Sequence, residues 1–209
     1  ILGHVEDAWN AQVVGLGLPA PLPDEGEGGD EKVDVYLTVL APPARALTIT
    51  NGDIDDADGR RAGYAHLRLD PTLEDERLGP FIAHEFQHLI QFGIDLDASL
   101  MIFEASAVLH ERLAFPESDT WHENFEDFQN MPGAPIFTDG IAWQGVTGQE
   151  GFYEYGAGLF LMYLEQEHGA GDGALVGRLW TNSGQGDGVG ENEPDWLDAL
   201  ADENLDIEA

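Results

Sequence analysis

The sequence contains no cysteine. This absence excludes a disulfide framework and every zinc site built on thiolates. Any metal ion that the protein binds must therefore be held by histidine, aspartate or glutamate side chains.

Cations are scarce as well, because the 209 residues include 8 Lys and Arg against 41 Asp and Glu, for a formal net charge of −33. This balance excludes a nucleic-acid-binding protein, which needs a basic surface to neutralise phosphates. The acids are spread along the whole chain, which is typical of a solvated, salt-adapted acidic surface; specific ion sites are the alternative.

Long apolar runs are also missing. No stretch approaches the roughly 20 apolar residues that span a bilayer, and no signal-like segment is present. The chain begins at Ile1 rather than Met, so we expect a mature or excised piece whose secretion stays open. With 43% hydrophobic residues, the chain can still bury the core of one globular domain.

Hydrophobic periodicity predicts an α+β protein in which strands come first and helices follow. Helical spacing predicts a first helix over 2–14, and the alternation from Val33 to Val39 predicts a half-buried strand. Two short strands are expected at 46–50 and 64–69, separated by an acidic turn at 51–59.

The pattern after Pro71 is helical. Helices are expected at 77–92, 99–113, 155–168, 173–181 and 194–203. We interpret residues 1–209 as a single domain with an N-terminal α/β part, 1–93, and a C-terminal helical part, 94–209.

The segment His84-Glu85-Phe86-Gln87-His88 is an HExxH sequence on one of these predicted helices. Histidines four residues apart lie on the same face of a helix, so the spacing predicts that both bind one zinc ion. The opposite face is apolar, which lets the helix bury one side and present imidazoles on the other, and Gly93 is expected to end the helix. Two core histidines beside an incidental glutamate are the alternative.

A catalytic zinc site needs a third protein ligand. Gln91 and Ile94 stand where the metzincin pattern requires Gly and His, which excludes that class. Glu104 is the geometrically natural third ligand, because it lies about two turns into a helix that runs back toward the histidines. Small neighbours at 105–107 allow the two helices to pack closely. A surface glutamate is the alternative for Glu104, and Asp139 is the next candidate ligand.

Glu85 lies beside His84 on the helix but is not predicted to bind the metal. With zinc on His84, His88 and Glu104, Glu85 is expected to take the proton from the water that attacks a peptide carbonyl and to pass it to the leaving amine. The oxyanion that forms needs a further donor. Tyr153 and Tyr155 are the candidates, with Tyr155 preferred, and a packing role is the alternative for each.

Other polar residues suggest secondary roles. Glu111 and His110 are candidates for hydrogen bonds to a zinc-bound histidine. The turn 51–59 offers an oxygen-rich set suited to Ca²⁺, although it misses the EF-hand spacing: Asp53, Asp55, Asp56 and Asp58. A weaker acidic cluster lies at 187–195, and a solvated loop is the alternative for both.

Several of these segments resemble the gluzincin-type metallopeptidases: His84–Gln91, Phe103–Ala107 with Glu111, and Tyr155–Phe160. Together with the Val33–Leu37 strand, they are most similar to a group of secreted bacterial metalloproteases of myxobacteria-like genomes. The resemblance implies a zincin-like fold with a strand-rich N-terminal half, an active-site helix at the floor of a cleft and a helical C-terminal half. It also implies that the 64–69 strand is a sheet edge on which an extended peptide aligns.

The sequence therefore predicts a secreted or cell-surface zinc endopeptidase that acts on peptide or protein substrates. The alternatives are a metal-binding domain without catalysis and a calcium-dependent adhesion module. Glu85 argues against the first of these, because binding zinc requires no base at that position. The resemblance does not extend to substrate preference, because the acidic segments 51–59 and 184–194 depart from the group.

Overall fold

The computed structural model of the protein describes residues 1–55, 61–134, 136, 152–184 and 196–205. The fold is α+β, about 53% helical with one small three-stranded sheet, which confirms the predicted class. Every strand of the described residues precedes the helix that carries the HExxH sequence.

The N-terminal part begins with helix α1, Leu2–Trp9, which continues as a π-helical turn at Asn10–Gly15. The sheet contains β1 (Val35–Leu37), β2 (Ala46–Asp55) and β3 (Arg61–Leu69). Strand β3 is central, parallel to β1 and antiparallel to β2. The expectation that 64–69 forms a sheet edge is therefore wrong, and β2 is an edge strand instead.

The strand boundaries differ from the predicted ones for two reasons. The first strand is shorter, because the chain leaves the sheet after Leu37, and Val39 beyond it is 81% exposed. The second is longer, because Gly52 and Asp53 of the expected acidic turn pair with β3 in an antiparallel ladder. Part of the predicted turn is thus strand, and residues 56–60 lie outside the described part of the chain.

The remaining helices follow the sheet. They are α2 (Asp75–Ile94), α3 (Leu100–Ala114), α4 (Phe125–Gln129), α5 (Tyr153–Gly156), α6 (Gly158–Glu167), α7 (Ala174–Ser183) and α8 (Trp196–Asp202). Single 3₁₀ turns occur at Glu27–Gly29 and Thr120–His122. The predicted helix 155–168 is two helices, and α2 passes Gly93 and ends at Ile94.

Two hydrophobic clusters meet at helices α2 and α3. One packs α1 and β3 against α2 through Leu67, Leu69, Ile82 and Phe86. The other packs α3 against α6, α7 and α8, and Phe92 of α2 contacts both clusters. Helix α2 is therefore enclosed on both sides, and its middle is buried all round rather than on one face. Within the described residues, no helix combines the length and apolar composition needed to cross a membrane.

Candidate metal centre

The two histidines of the HExxH sequence lie in the buried middle of α2. His84 is 4% exposed and His88 is 8% exposed, and their ring centroids are 5.0 Å apart in an edge-to-face arrangement. The face of α2 that carries the two imidazoles packs against α3, as the predicted position of Glu104 requires. Burial matters here, because it removes the water that would otherwise compete for the ring nitrogens.

Glu104 of α3 completes a group of three side chains that could hold a metal ion. Its Oε2 lies 3.1 Å from His84 Nε2 and 3.6 Å from His88 Nε2, and the three ligand atoms all fall within 4.8 Å of one another. Two atoms bound to one zinc at about 2.0–2.1 Å with tetrahedral angles are about 3.3–3.4 Å apart. The two separations from Glu104 bracket that value, and the two imidazole nitrogens lie within 4.8 Å of each other, so the three side chains could hold one metal ion.

Both histidines have a partner on the nitrogen that faces away from this group. His84 Nδ1 lies 3.5 Å from Glu111 Oε2, as expected for a residue two turns after Glu104. Thr120 in turn donates its hydroxyl to Glu111. His88 Nδ1 lies 2.7 Å from Gln91 Oε1. Such partners fix the orientation of metal-binding imidazoles.

His110 does not take part in this arrangement. Its Nδ1 lies 2.7 Å from the Ser106 carbonyl oxygen, so the ring bonds its own helix. Burial lowers the pKa of His110 to about 4, which keeps this imidazole neutral at pH 7. We therefore assign His110 a structural role in α3.

The carboxylates of this group stabilise the protonated forms of the two imidazoles. Burial opposes protonation of His84, but the hydrogen bonds to Glu104 and Glu111 outweigh it and raise its pKa to about 10. Burial is likewise outweighed at His88, where Glu104 raises the pKa. Despite its burial, the two imidazoles lower the pKa of Glu104 well below its usual range. Two buried carboxylates thus stabilise positive charge between the helices.

The Glu85 carboxylate is held by the sheet. Thr48 Oγ1 of β2 lies 2.8 Å from Glu85 Oε2 and 2.8 Å from the Glu85 backbone oxygen. No sequence pattern indicates this contact, because it joins residues 37 positions apart. Thr48 was therefore missed by sequence reasoning, and only the position of β2 beside α2 reveals it.

The two candidate tyrosines have different positions. The Tyr155 ring stacks on His84, with centroids 5.5 Å apart and planes 8° apart. Burial, together with Glu104 and Glu85, raises the pKa of Tyr155 and keeps its hydroxyl protonated. Tyr153 instead donates its hydroxyl to the Ala134 carbonyl oxygen, 3.3 Å away. Only Tyr155 is therefore placed to act at this site.

Glycine at 156 explains how α5 holds Tyr155 in this position. A Cβ atom there would clash with the Asn124 carbonyl oxygen and with Phe128, both next to or within α4. Only glycine lets α5 pack this closely against α4, which fixes the height of Tyr155 above His84.

A cleft of about 550 Å³ opens beside His84 and Glu85. Its walls include Ala46 and Leu47 of β2, Phe81 of α2 and Tyr155 of α5. The edge strand of the sheet therefore forms one side of the cleft, and His84 is the member of the candidate metal group that lines it.

The predicted calcium turn and the other candidate ligands are described only in part. Asp53 pairs with Arg61, at 2.6 Å, so one carboxylate of the predicted calcium turn already has a cation. Asp56, Asp58, Asp139 and the cluster 187–195 lie outside the described residues. Within those residues, His84, His88 and Glu104 form the one group whose side chains meet the geometric requirement for a metal ion. No family model, curated protein or solved structure matches the chain.

Proposed function

We propose that this protein is a zinc-dependent endopeptidase with a zincin-like fold of the gluzincin type. The observation that carries the proposal is the approach of the ligand atoms of His84, His88 and Glu104 to within 4.8 Å of one another, beside a cleft that His84 and Glu85 line. A metal group, a candidate base and space for a substrate thus occur together, which is the combination that hydrolysis requires.

The donor set favours zinc over the other common ions. Two imidazole nitrogens and one carboxylate are the ligands of catalytic zinc, whereas Ca²⁺ and Mg²⁺ take oxygen ligands. When bound, zinc would polarise the substrate carbonyl and make a water molecule more acidic. His84, His88 and Glu104 would hold it.

Glu85 acts as the general base and acid in this proposal. Its carboxylate accepts the proton of the attacking water and delivers it to the leaving amine. The Thr48 hydroxyl orients this carboxylate and also lies within hydrogen-bond distance of the backbone carbonyl oxygen of Glu85. Tyr155 donates its hydroxyl proton in a hydrogen bond to the oxyanion, a role that suits a phenol whose pKa is raised.

The edge strand β2 supports a peptide as the substrate. Its residues Ala46 and Leu47 line the cleft, and Thr48 contacts Glu85. An extended peptide that paired with the edge of β2, which has no further strand beside it among the described residues, would therefore pass over the candidate base. The proposed edge for peptide alignment is therefore β2 and not the strand at 64–69.

The test compares two glutamates of the same helix. Glu85→Gln should bind zinc with the same stoichiometry as the wild type and should lower peptide turnover by several orders of magnitude, because it removes the base but no ligand. Glu76→Gln is the control, because Glu76 lies exposed in the first turn of α2. The assay is cleavage of casein and of quenched fluorescent peptides.

Three outcomes separate the candidate functions. Zinc binding together with peptide cleavage that depends on Glu85 supports the peptidase. Zinc binding by a wild-type protein that cleaves no peptide indicates a metal-binding domain without catalysis. Calcium binding without zinc would indicate an adhesion module and would contradict the proposed metal centre.

A further inference from the structure

A buried polar network lies behind His88 and connects three helices. Gln91 of α2 and Ser106 of α3 are fully buried, as is Trp180 of α7. Gln91 Nε2 lies 2.7 Å from Ser106 Oγ, and Trp180 Nε1 lies 2.9 Å from the same oxygen. The side chain that touches His88 is therefore itself held from two sides.

The direction of every hydrogen bond in this network follows from the groups at its ends. The Trp180 N–H can only donate, and backbone carbonyl oxygens can only accept. The Ser106 hydroxyl donates to the Ile102 carbonyl oxygen, 2.6 Å away, and accepts from Trp180 and Gln91. Ser106 thus uses its one proton and both lone pairs.

The orientation of the Gln91 amide is fixed by the same reasoning. Its Nε2 lies 3.1 Å from the Phe103 carbonyl oxygen, so a flipped amide would set two acceptors against each other. Gln91 Oε1 must therefore face His88 Nδ1, at 2.7 Å. A carbonyl oxygen at that distance requires a proton on Nδ1, so Nε2, on the side of Glu104, is the nitrogen through which His88 would bind a metal ion.

We propose that Gln91 is a positioning residue that fixes His88 as the Nδ1–H tautomer and so directs Nε2 toward the metal. The inference rests on the metal centre proposed above. In the sequence, Gln91 marks a departure from the metzincin pattern, and the structure adds its contact to His88. Glutamine suits the position because one amide supplies the acceptor for His88 and the donors for α3.

Gln87 provides a matched control on the same helix. It is 1% exposed, and neither polar atom of its side chain has a hydrogen-bond partner among the described residues. Gln87→Leu and Gln91→Leu thus make the same chemical change at two buried sites of α2, but only the second removes a contact to His88.

The first measurement is the zinc dissociation constant, obtained by competition with a chromophoric chelator. Gln91→Leu should weaken zinc binding about 10- to 100-fold, and Gln87→Leu should change it by less than about threefold. Equal effects of the two variants would overturn the proposal.

Gln91→Glu separates positioning from stability. A carboxylate can still accept the proton of His88 Nδ1 but cannot donate to Phe103 or Ser106. This variant should lower the melting temperature and yet recover most of the zinc affinity lost in Gln91→Leu. A zinc affinity that simply follows the melting temperature across the three variants would show a structural role only and would contradict the proposal.

The second measurement observes the proton directly. Long-range ¹H–¹⁵N NMR spectra should show a proton on His88 Nδ1 in both the metal-free and the zinc-loaded protein. A bare Nδ1 in either form would overturn the proposal. Absence of zinc binding in the wild type would instead refute the metal centre, and the metal-free spectrum would still test the role of Gln91.

Discussion

Thr48→Val tests whether the contact between β2 and Glu85 supports catalysis. Valine keeps the shape and the β-branching of threonine, so the strand should remain intact, but it removes the hydroxyl that lies 2.8 Å from Glu85 Oε2. Without this donor the carboxylate loses the contact that orients it toward the cleft.

The expected magnitude follows from the type of bond. A hydrogen bond to a charged group contributes about 1.5–3 kcal/mol, and each 1.36 kcal/mol in an activation free energy is about tenfold in rate. Complete loss of the orientation would therefore lower kcat about 10- to 150-fold. The single Thr48 proton is shared between the carboxylate and the Glu85 backbone oxygen, so we expect the lower end, about tenfold.

The assay is steady-state peptide cleavage, with three controls. Thr50→Val makes the same change at an exposed position of β2 and should leave kcat unchanged. Thr48→Ser keeps the hydroxyl and should retain most of the activity. In a Glu85→Gln background, Thr48→Val should have little further effect, because the two residues act as one unit.

Equal activities of Thr48→Val and Thr50→Val would refute the reasoning. The zinc affinity should be unchanged in both variants, because neither threonine contacts His84, His88 or Glu104. A lower zinc affinity in Thr48→Val would likewise contradict the assigned role.

Three further predictions concern the metal and the charge. Glu104→Ala should lose zinc together with activity, measured by metal analysis of the dialysed protein; full retention of zinc would refute Glu104 as a ligand. The pKa of His84 is raised from 6.5 to about 10 in the metal-free fold, so its stabilising contribution is complete below pH 6.5 and is lost as the pH rises toward 10. The melting temperature of the metal-free protein should therefore fall over that range while the stabilisation by zinc grows, because zinc must displace the His84 proton; scans at fixed ionic strength check both trends. NaCl should raise the melting temperature, because the Debye length falls from about 30 Å at 0.01 M to about 3 Å at 1 M and screens the net charge of −33. CaCl₂ at matched ionic strength should have the same effect unless 51–59 binds calcium, and a melting temperature that is independent of salt would contradict the argument.

The helices that carry the candidate site were predictable from the sequence. Histidines at 84 and 88 share a helix face by spacing alone, and the distance from His88 to Glu104 allows one turn and a return of the chain. The structure brings these three residues together, with Glu111 behind His84 as the two-turn spacing suggested. Local periodicity was sufficient here because both helices are long and adjacent in the chain.

The supporting residues were not predictable, because their contacts depend on tertiary placement. Thr48 reaches Glu85 across 37 positions, and Trp180 reaches Ser106 across 74. No periodicity or motif marks such pairs. The error at β2 has a related cause: acidic and glycine residues at 51–55 are typical of a turn, but pairing with β3 keeps them in the ladder.

The choice between the two tyrosines shows the same limit. Tyr153 and Tyr155 have similar sequence surroundings, and both lie in the short helix α5. Their different positions, one over His84 and one against Ala134, follow from the packing of α5 on α4, a helix that the sequence did not predict.

Diffraction from zinc-loaded crystals on the two sides of the zinc absorption edge tests the central claim most directly. We predict one anomalous peak per chain, bonded to His84 Nε2, His88 Nε2 and a Glu104 carboxylate oxygen at about 2.0–2.2 Å. A peak elsewhere in the molecule, or none at saturating zinc, would contradict the account.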